Sequence, residues 1–319
     1  VLCYNKGTNE TGGKKFMTSR FGIFNKKGMV LMMISRELLA YSPGDRIDTI
    51  ESYTKKFDAS RGIVQEVLNI LENEKAISRS KRGTLGTYLE HIDYEKLWEF
   101  TSWGVLTGVS PLPYTKKHEG IATAIYAQME KRDIPFHFAY MQGAENRVQG
   151  VLQEKYDFAI LSKESAIALI EKYDNLSIVM EFEPYSYISG YVLIYKDKEV
   201  FNKESIKVGR DLHSPDHVKW LEYLTEGREV EFVDLQYTKM VPAIMDGTID
   251  MTIYNKDTIE KSEIIEGIEF KDAPINEIIG DETRAVLVIN NKSYGINNLL
   301  KEIINVESIN KIQKEVIEK

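Results

Sequence analysis

Ser60-Arg61-Gly62-Ile63-Val64-Gln65-Glu66-Val67-Leu68-Asn69-Ile70-Leu71-Glu72-Asn73 is the stretch on which the fold of the first hundred residues turns. Ser60 is a good N-cap, because its hydroxyl can accept from a first-turn amide that lacks an intrahelical partner. From there Ile63, Val64, Val67, Leu68 and Leu71 fall on one side of a helix running to about Asn73. Asp58-Ala59 is a tight link from a preceding helix that ends near Phe57. Asp48-Thr49-Ile50-Glu51 opens that helix with a capping-box pattern, in which the Asp48 carboxylate accepts from the Glu51 amide. Farther upstream, Met29, Met32, Met33, Arg36 and Leu39 have helical spacing, and Tyr41-Ser42-Pro43-Gly44 stops the run with turn chemistry. Downstream, Ala76 to Leu89 alternates weakly and turns at Arg82-Gly83-Thr84, which predicts a two-stranded hairpin. Helix, helix, turn, helix, hairpin is the order of a winged helix-turn-helix.

The charge distribution agrees with that reading. The net charge of the 319 residues is -8. From Lys14 to Leu97, however, 15 Lys+Arg face 11 Asp+Glu, a net of +4, and from Trp98 onward 25 face 37, a net of -12. A locally basic head on an acidic body fits one docking face for a polyanion and argues against a protein that coats nucleic acid everywhere. The longest apolar run, about Met29 to Ile34, is far short of the roughly 20 residues that span a bilayer. The first 30 residues contain no apolar segment of the secretory type, so the cytoplasm is the expected location. Cys3 is the single cysteine, which leaves no disulfide framework within the chain.

Residues 1–15, rich in Asn, Thr, Gly and Lys, read as a flexible arm. Residues 16–98 read as the winged helix domain, with a helix or linker around Asp93 to Phe100. Beyond it the texture changes: seven of the eight prolines lie at or after Pro111, and short apolar runs alternate with helical stretches. Val105–Val109, Phe136–Tyr140, Asp157–Leu161, Ile188–Tyr195, Ile206–Gly209, Val230–Val233, Asp250–Ile253 and Ala285–Ile289 are strand-like. Alternation of strand and helix predicts an α/β domain over 99–319 with mainly parallel sheets. An internal echo divides it. Val148, Val151, Leu152, Tyr156, Asp157, Phe158 and Ile160 match Val241, Ile244, Met245, Ile249, Asp250, Met251 and Ile253 at a constant offset of 93. Two such units predict two lobes of like architecture, lobe one over about 99–190 and 275–319, lobe two over about 191–274.

The stretch from Ser60 to Gln65, followed by Leu68, Leu71 and Glu72, resembles the recognition helix of GntR-type regulators. Tyr41-Ser42-Pro43-Gly44-Asp45-Arg46-Ile47 is similar to the segment before it in that family, and Arg82-Gly83-Thr84-Leu85-Gly86-Thr87 to its wing tip. The second helix departs from the family pattern, and Gln65 stands where an arginine is common, which leaves the operator sequence open. A recognition helix offers its N-terminus to the major groove, so the Ser60 and Arg61 amides, the helix dipole and a guanidinium would all favour phosphate. Arg61 and Gln65 are placed to reach base edges. Arg79, Lys81, Arg82, Gly83 and Thr84 of the wing would meet the backbone or minor groove, and Lys55 and Lys56 would flank the phosphates. A winged helix that binds protein instead is the competing reading, disfavoured by the basic wing.

With Gly108-Val109-Ser110-Pro111-Leu112-Pro113-Tyr114-Thr115 and Glu119-Gly120-Ile121-Ala122-Thr123 added, most of the chain resembles the YhfZ-type regulators. That resemblance implies a GntR-like head followed by a two-lobed domain similar to type II periplasmic solute-binding proteins and LysR effector domains. In such a fold a ligand sits past the C-terminal ends of parallel strands, where helix N-termini converge. The candidates in lobe one are Pro113, Tyr114, Thr115, Gln142, Asn146, Arg147 and Ser162, and in lobe two His213, Ser214, Gln236 and Tyr237, with Arg147 placed to clamp an anionic ligand. Each of these, taken alone, is more often an ordinary loop or capping residue. A metal cluster of His213 and His217 with Asp211 and Asp216 is disfavoured, since an N-cap at Ser214 keeps the two histidines off a common face. No Walker loop, GxGxxG, GxSxG or HExxH occurs, and neither catalysis nor a cofactor is expected. An enzyme or solute carrier built on residues 99–319 is the alternative. The expected partners are a double-stranded operator, a small-molecule effector and, since one winged helix makes few contacts, a second copy of the chain in a two-fold dimer.

Overall fold

The computed structural model describes residues 25–102, 104–132, 134–259, 267–280, 283–293 and 295–319. The expected arm at 1–15, with Cys3, lies outside the described residues. Two compact units divide between Gly104 and Val105.

The first unit opens with α1 (Lys26–Leu38), capped by the Asn25 side chain, which accepts from the Gly28 amide. Its buried face is Val30, Ile34 and Leu38 with Met32; the expected stripe through Met29, Met33 and Arg36 is only half-buried. The i, i+4, i+8 row faces the rest of the unit. Arg36 is held to one side, its Nε donating to the Thr101 carbonyl. Helix α2 (Ile50–Phe57) is capped by Thr49, not Asp48: the Thr49 hydroxyl accepts from the Ser52 amide at 3.1 Å. Helical dihedrals begin at Ile50, which moves the capping relation one residue along. Asp58, in the left-handed region at φ 49°, ends α2, and Ser60 starts α3 (Arg61–Asn73) by accepting from the Ile63 amide at 3.3 Å. Ser60→Ala is therefore expected to cost about 1 kcal/mol, read as a lowered denaturation midpoint, while Ser60→Asp or Ser60→Thr retains most of it.

Val64, Val67, Leu68 and Leu71 of α3 are buried, as its period predicts, with Ile63 half-buried. Strands β1 (Ile77–Lys81) and β2 (Thr87–Ile92) pair antiparallel around a 3-10 turn at Gly83–Leu85. Gly86 has φ +100°, and a Cβ there would lie 2.6 Å from the Arg46 Nε, so both backbone conformation and close approach call for glycine. The loop between α1 and α2 joins this hairpin: the Ile47 amide donates to Thr87 and the Leu89 amide to Asp45, each at 3.0 Å. Helix α4 (Tyr94–Phe100), capped by Asp93, packs back on α1, and the Tyr94 hydroxyl donates to the Tyr41 carbonyl. The first unit therefore runs to Gly104 rather than stopping at 98.

The second unit holds two five-stranded sheets of matching topology. In lobe one, β3 (Leu106–Ser110), β4 (Phe136–Tyr140), β5 (Phe158–Ser162), β6 (Leu176–Glu181) and β12 (Ala285–Asn290) lie in the order β4-β3-β5-β12-β6. In lobe two, β7 (Tyr191–Tyr195), β8 (Ser205–Arg210), β9 (Glu229–Asp234), β10 (Met251–Asn255) and β11 (Glu269–Asp272) lie in the order β9-β8-β10-β7-β11. The first three strands in each list run parallel and the next antiparallel. Helices α5 (Lys116–Lys131) and α6 (Ala144–Leu152) connect the parallel strands of lobe one; α8 (Pro215–Leu224) and α9 (Met240–Met245) do so in lobe two. Burial on both faces explains why β5, β7 and β12 are nearly continuous apolar runs rather than alternating, with only the terminal Ser162 and Asn290 polar. β6 and β11 were not foreseen. β11 is an edge strand with all four residues exposed, so it carries no period-two signal and owes its conformation to pairing with β7.

The echo at offset 93 has a physical cause. Asp157 accepts from the Thr107 amide while its own amide donates to the Thr107 carbonyl, and Asp250 makes the same pair of bonds with Lys207. In each lobe the aspartate ties the start of the third parallel strand to the first. Between the lobes two segments cross side by side, with Phe182 and Tyr187 amides donating to Ala285 and Thr283 carbonyls. Ile188, Ala273, Ile275 and Ile279 pack in the lobe-two core, so that lobe extends to about 188–279, beyond the expected 191–274. Helices α7 (Lys163–Lys172), α10 (Lys256–Ile259), α11 (Ile296–Ile303) and α12 (Val306–Ile317) complete the unit. No helix among the described residues is long and apolar enough to cross a membrane.

Candidate functional site

Within the first unit, the solvent-facing side of α3 presents Arg61, Gly62, Gln65, Glu66 and Asn69, with the free amides of its capped N-terminus beside them. Lys81, Arg82, Gly83 and Thr84 are exposed at the wing, the Arg82 guanidinium lying 4.5 Å from the Tyr88 ring centroid. Arg46, which is exposed and lies against Gly86, adds a cation to the wing that the hairpin reading missed, because it comes from the α1–α2 loop. Lys55 pairs with Glu51 one turn away at 2.8 Å, an exposed contact that solvent screens and that phosphate could replace. One expected contact is corrected. Arg79, with its side chain only 10% exposed, is engaged by Glu72 and Asn69 of α3. It fastens the hairpin to α3 and is not presented to a polyanion. Lys56 pairs with Glu37 at 2.6 Å while its own side chain stays half exposed, so phosphate could replace that contact as it could at Lys55.

In the second unit a cavity of about 120 Å³ opens between the lobes, at the C-terminal ends of parallel strands where α5, α6 and α8 begin. Arg147, buried at 3% exposure, crosses its floor. Its Nε donates to the Ile160 carbonyl (3.1 Å), one terminal nitrogen to the Met141 carbonyl (2.8 Å) and the other to the Tyr187 hydroxyl (3.1 Å). These bonds set the guanidinium against the end of β4 and the middle of β5. No carboxylate among the described residues pairs with it. His118 stands in the first turn of α5 with its ring 4.8 Å from that of Tyr187, and neither ring nitrogen has a hydrogen-bond partner. Burial, aided by the charge on Arg147, holds its imidazole down at about 4. From lobe two, Asp216 accepts from the Tyr191 hydroxyl (3.1 Å), the Ser162 hydroxyl (3.2 Å) and the His217 amide (3.0 Å). Burial, and then the negative charge on Asp216, raises the Tyr191 hydroxyl well above its ordinary value.

Against known proteins, residues 42–89 match a helix-turn-helix domain family, and residues 93–319 match the YhfZ C-terminal domain family. The chain belongs to the YhfZ family. "Uncharacterized protein YhfZ" of Escherichia coli (strain K12) is 29% identical over 293 residues, 92% of this chain and 95% of its own length. The crystal structure of YhfZ from Shigella flexneri covers 70% of this chain and 94% of its own, at 28% identity and TM-score 0.58. The zinc-bound ligand-binding component of an ABC-type import system from Staphylococcus aureus covers 67% of this chain and 73% of its own, at 12% identity and TM-score 0.50. The last is a likeness of fold. Together these matches make an N-terminal helix-turn-helix domain and a C-terminal α/β domain of the periplasmic-binding-protein kind.

Of the residues anticipated for a ligand, the YhfZ-family cavity brings together Tyr114, Thr115, Gln142, Arg147, Ser214 and Tyr237. Thr115 also caps α5, and the Tyr237 hydroxyl accepts from the Asn255 amide. Ser162 sits behind the lining, capping α7 and donating to Asp216. Pro113, Asn146, His213 and Gln236 are exposed and do not line the cavity; they follow strands in sequence but point away from the cleft. His118, Tyr187, Tyr191 and Asp216 were not anticipated. Of these, Asp216 alone carried a local signal, two residues past the N-cap expected at Ser214. The disfavoured metal reading meets a specific obstacle. The His217 ring is spent between the Asp211 amide and the Ile253 carbonyl, each at 3.2 Å, while Asp211 itself caps the turns at His213 and Tyr237.

The buried histidine makes stability depend on pH. With a folded value of about 4 against an ordinary 6.5, His118 contributes fully above pH 6.5, and that contribution is lost as the pH falls toward 4. Asp157 acts oppositely: burial pushes its carboxyl up to about 6, a penalty present above pH 6 that is relieved on acidification. His118→Gln is expected to flatten the acid-side loss between pH 6.5 and 4.5 by up to about 3 kcal/mol, and Asp157→Asn to steepen it, both read from urea midpoints.

Proposed function

We propose that the chain is a DNA-binding transcription regulator whose output responds to a small molecule held between the lobes of its α/β domain. The observation that carries the reading is one chain containing both a Ser60-capped helix exposing Arg61 and Gln65 and an interlobe cavity built around an unneutralised buried arginine. The helix-turn-helix would dock α3 in the major groove and the wing on the backbone. A homodimer reading a two-fold operator follows from the few contacts one head can make, and a cytoplasmic location from the DNA partner. The effector would act through its different affinities for the open and closed lobes. Catalysis is not part of this reading.

Footprinting on host genomic fragments, with and without small-molecule extract, tests the proposal. A protected two-fold site whose occupancy shifts with extract is the expected result. Retention that is absent at every salt concentration would overturn the DNA reading, and turnover of any extract component by the full chain would favour an enzyme instead.

A further inference from the structure

The cavity contains one charge of each sign, contributed by different lobes. Arg147 of α6 uses three of its five N–H groups on two carbonyls and the Tyr187 hydroxyl, leaving two donors. Asp216 of α8 is satisfied only by neutral donors, namely Ser162, Tyr191 and the His217 amide. The two are not within ion-pair distance of each other, yet the Tyr187 hydroxyl feels both charges. Arg147 is buried and Asp216 partly so, and a charge withdrawn from water is costly unless an opposite charge accompanies it. A simple anion would satisfy Arg147 and be repelled by Asp216; a simple cation would do the reverse. A divalent metal is disfavoured by the donor set, since among the described residues no three potential ligands cluster. His118, nine-tenths buried with both ring nitrogens unpartnered, adds a polar group facing the same space. The rest of the wall is largely apolar or aromatic, including Leu112, Ile188 and Tyr237, and the volume of about 120 Å³ restricts the occupant to a small molecule.

We propose that the cavity recognises a small zwitterion of the α-amino acid type, its carboxylate held by Arg147 on lobe one and its ammonium by Asp216 on lobe two, with a modest apolar side chain against the aromatic wall. The proposal rests on the reading of the cavity as the effector site. It also supplies the coupling, because a ligand bridging charges on opposite lobes binds the closed form better than either lobe alone.

The full chain, dialysed free of small molecules, is titrated calorimetrically with each of the twenty L-amino acids. The tightest binder is followed by its decarboxylated amine and its deaminated acid. Binding by one or a few amino acids is expected, with each half-molecule roughly ten- to hundred-fold weaker, the loss of one charge-assisted contact. Arg147→Met should abolish binding but also removes two ties to backbone carbonyls, so Asp216→Asn is the second variant. It should weaken the amino acid at least ten-fold while bringing the deaminated acid level with it. If the acid binds the wild type as tightly as the amino acid and Asp216→Asn changes nothing, the zwitterion is overturned and the cavity remains an anion site. If no amino acid binds, the zwitterion is likewise overturned. Native mass spectrometry of host-purified protein then separates the two ideas: a bound molecule of another class spares the effector reading, and an empty protein that ignores host extract removes it.

Discussion

Arg61→Ala is expected to lose about 1–3 kcal/mol of discrimination between the operator and a site altered at the contacted base pair, roughly ten- to hundred-fold. Arg61 is the first residue of α3 and exposed, so its fork stands where the helix N-terminus would enter the groove in the proposed docking. The wing residues should behave differently. Arg82→Ala and Arg46→Ala are expected to weaken binding to all sequences alike and to reduce the salt slope by about 1 each, because a phosphate contact carries no sequence information. Arg79→Ala supplies the control: its guanidinium is committed to Glu72 and Asn69, so stability should fall while the salt slope stays the same. Fluorescence anisotropy over a salt series on a selected operator separates the three behaviours. Unchanged specificity in Arg61→Ala together with an unchanged slope in Arg82→Ala would discard the docking of α3 and the wing.

The second large effect concerns the core beneath that surface. Leu68→Ala should destabilise the first unit by about 2–5 kcal/mol, the range for a buried leucine whose neighbours close only partly around the space left behind. Leu68 is 1% exposed and lies among Val64, Val67 and Leu71 on the inner face of α3. A unit of this size has little stability in reserve, so faster hydrogen exchange of the α3 amides and loss of operator retention at 37 °C should appear together. Gln65→Ala, on the outer face of the same helix, should leave exchange nearly unchanged. Equal protection in Leu68→Ala and the wild type would contradict the packing described.

The match between sequence and structure follows how local each cause is. The Ser60 cap, the α3 period and the two-stranded wing were legible because each is decided within a few residues. The Asp157/Asp250 echo was visible as a pattern, but its cause was not, since Thr107 and Lys207 lie 50 and 43 residues away. Arg79 was misread as a wing cation because nothing in the hairpin sequence shows that Glu72 and Asn69 lie beneath it. Arg147 was recognisable from its place near a helix start. Asp216 entered the sequence reading only in a disfavoured metal set behind the Ser214 cap, because the tyrosine that donates to it is 25 residues upstream and the serine 54.

The amino-acid order alone determined the winged helix, the two-lobed α/β domain and the basic head, because caps, periodicity and net charge act through near neighbours or simple sums. Only the tertiary structure decided which charges are spent and which remain. Coulombic and hydrogen-bond partners are chosen by distance in space, and folding brought Glu72 to Arg79 while leaving Arg147 and Asp216 facing one cavity without a counter-ion.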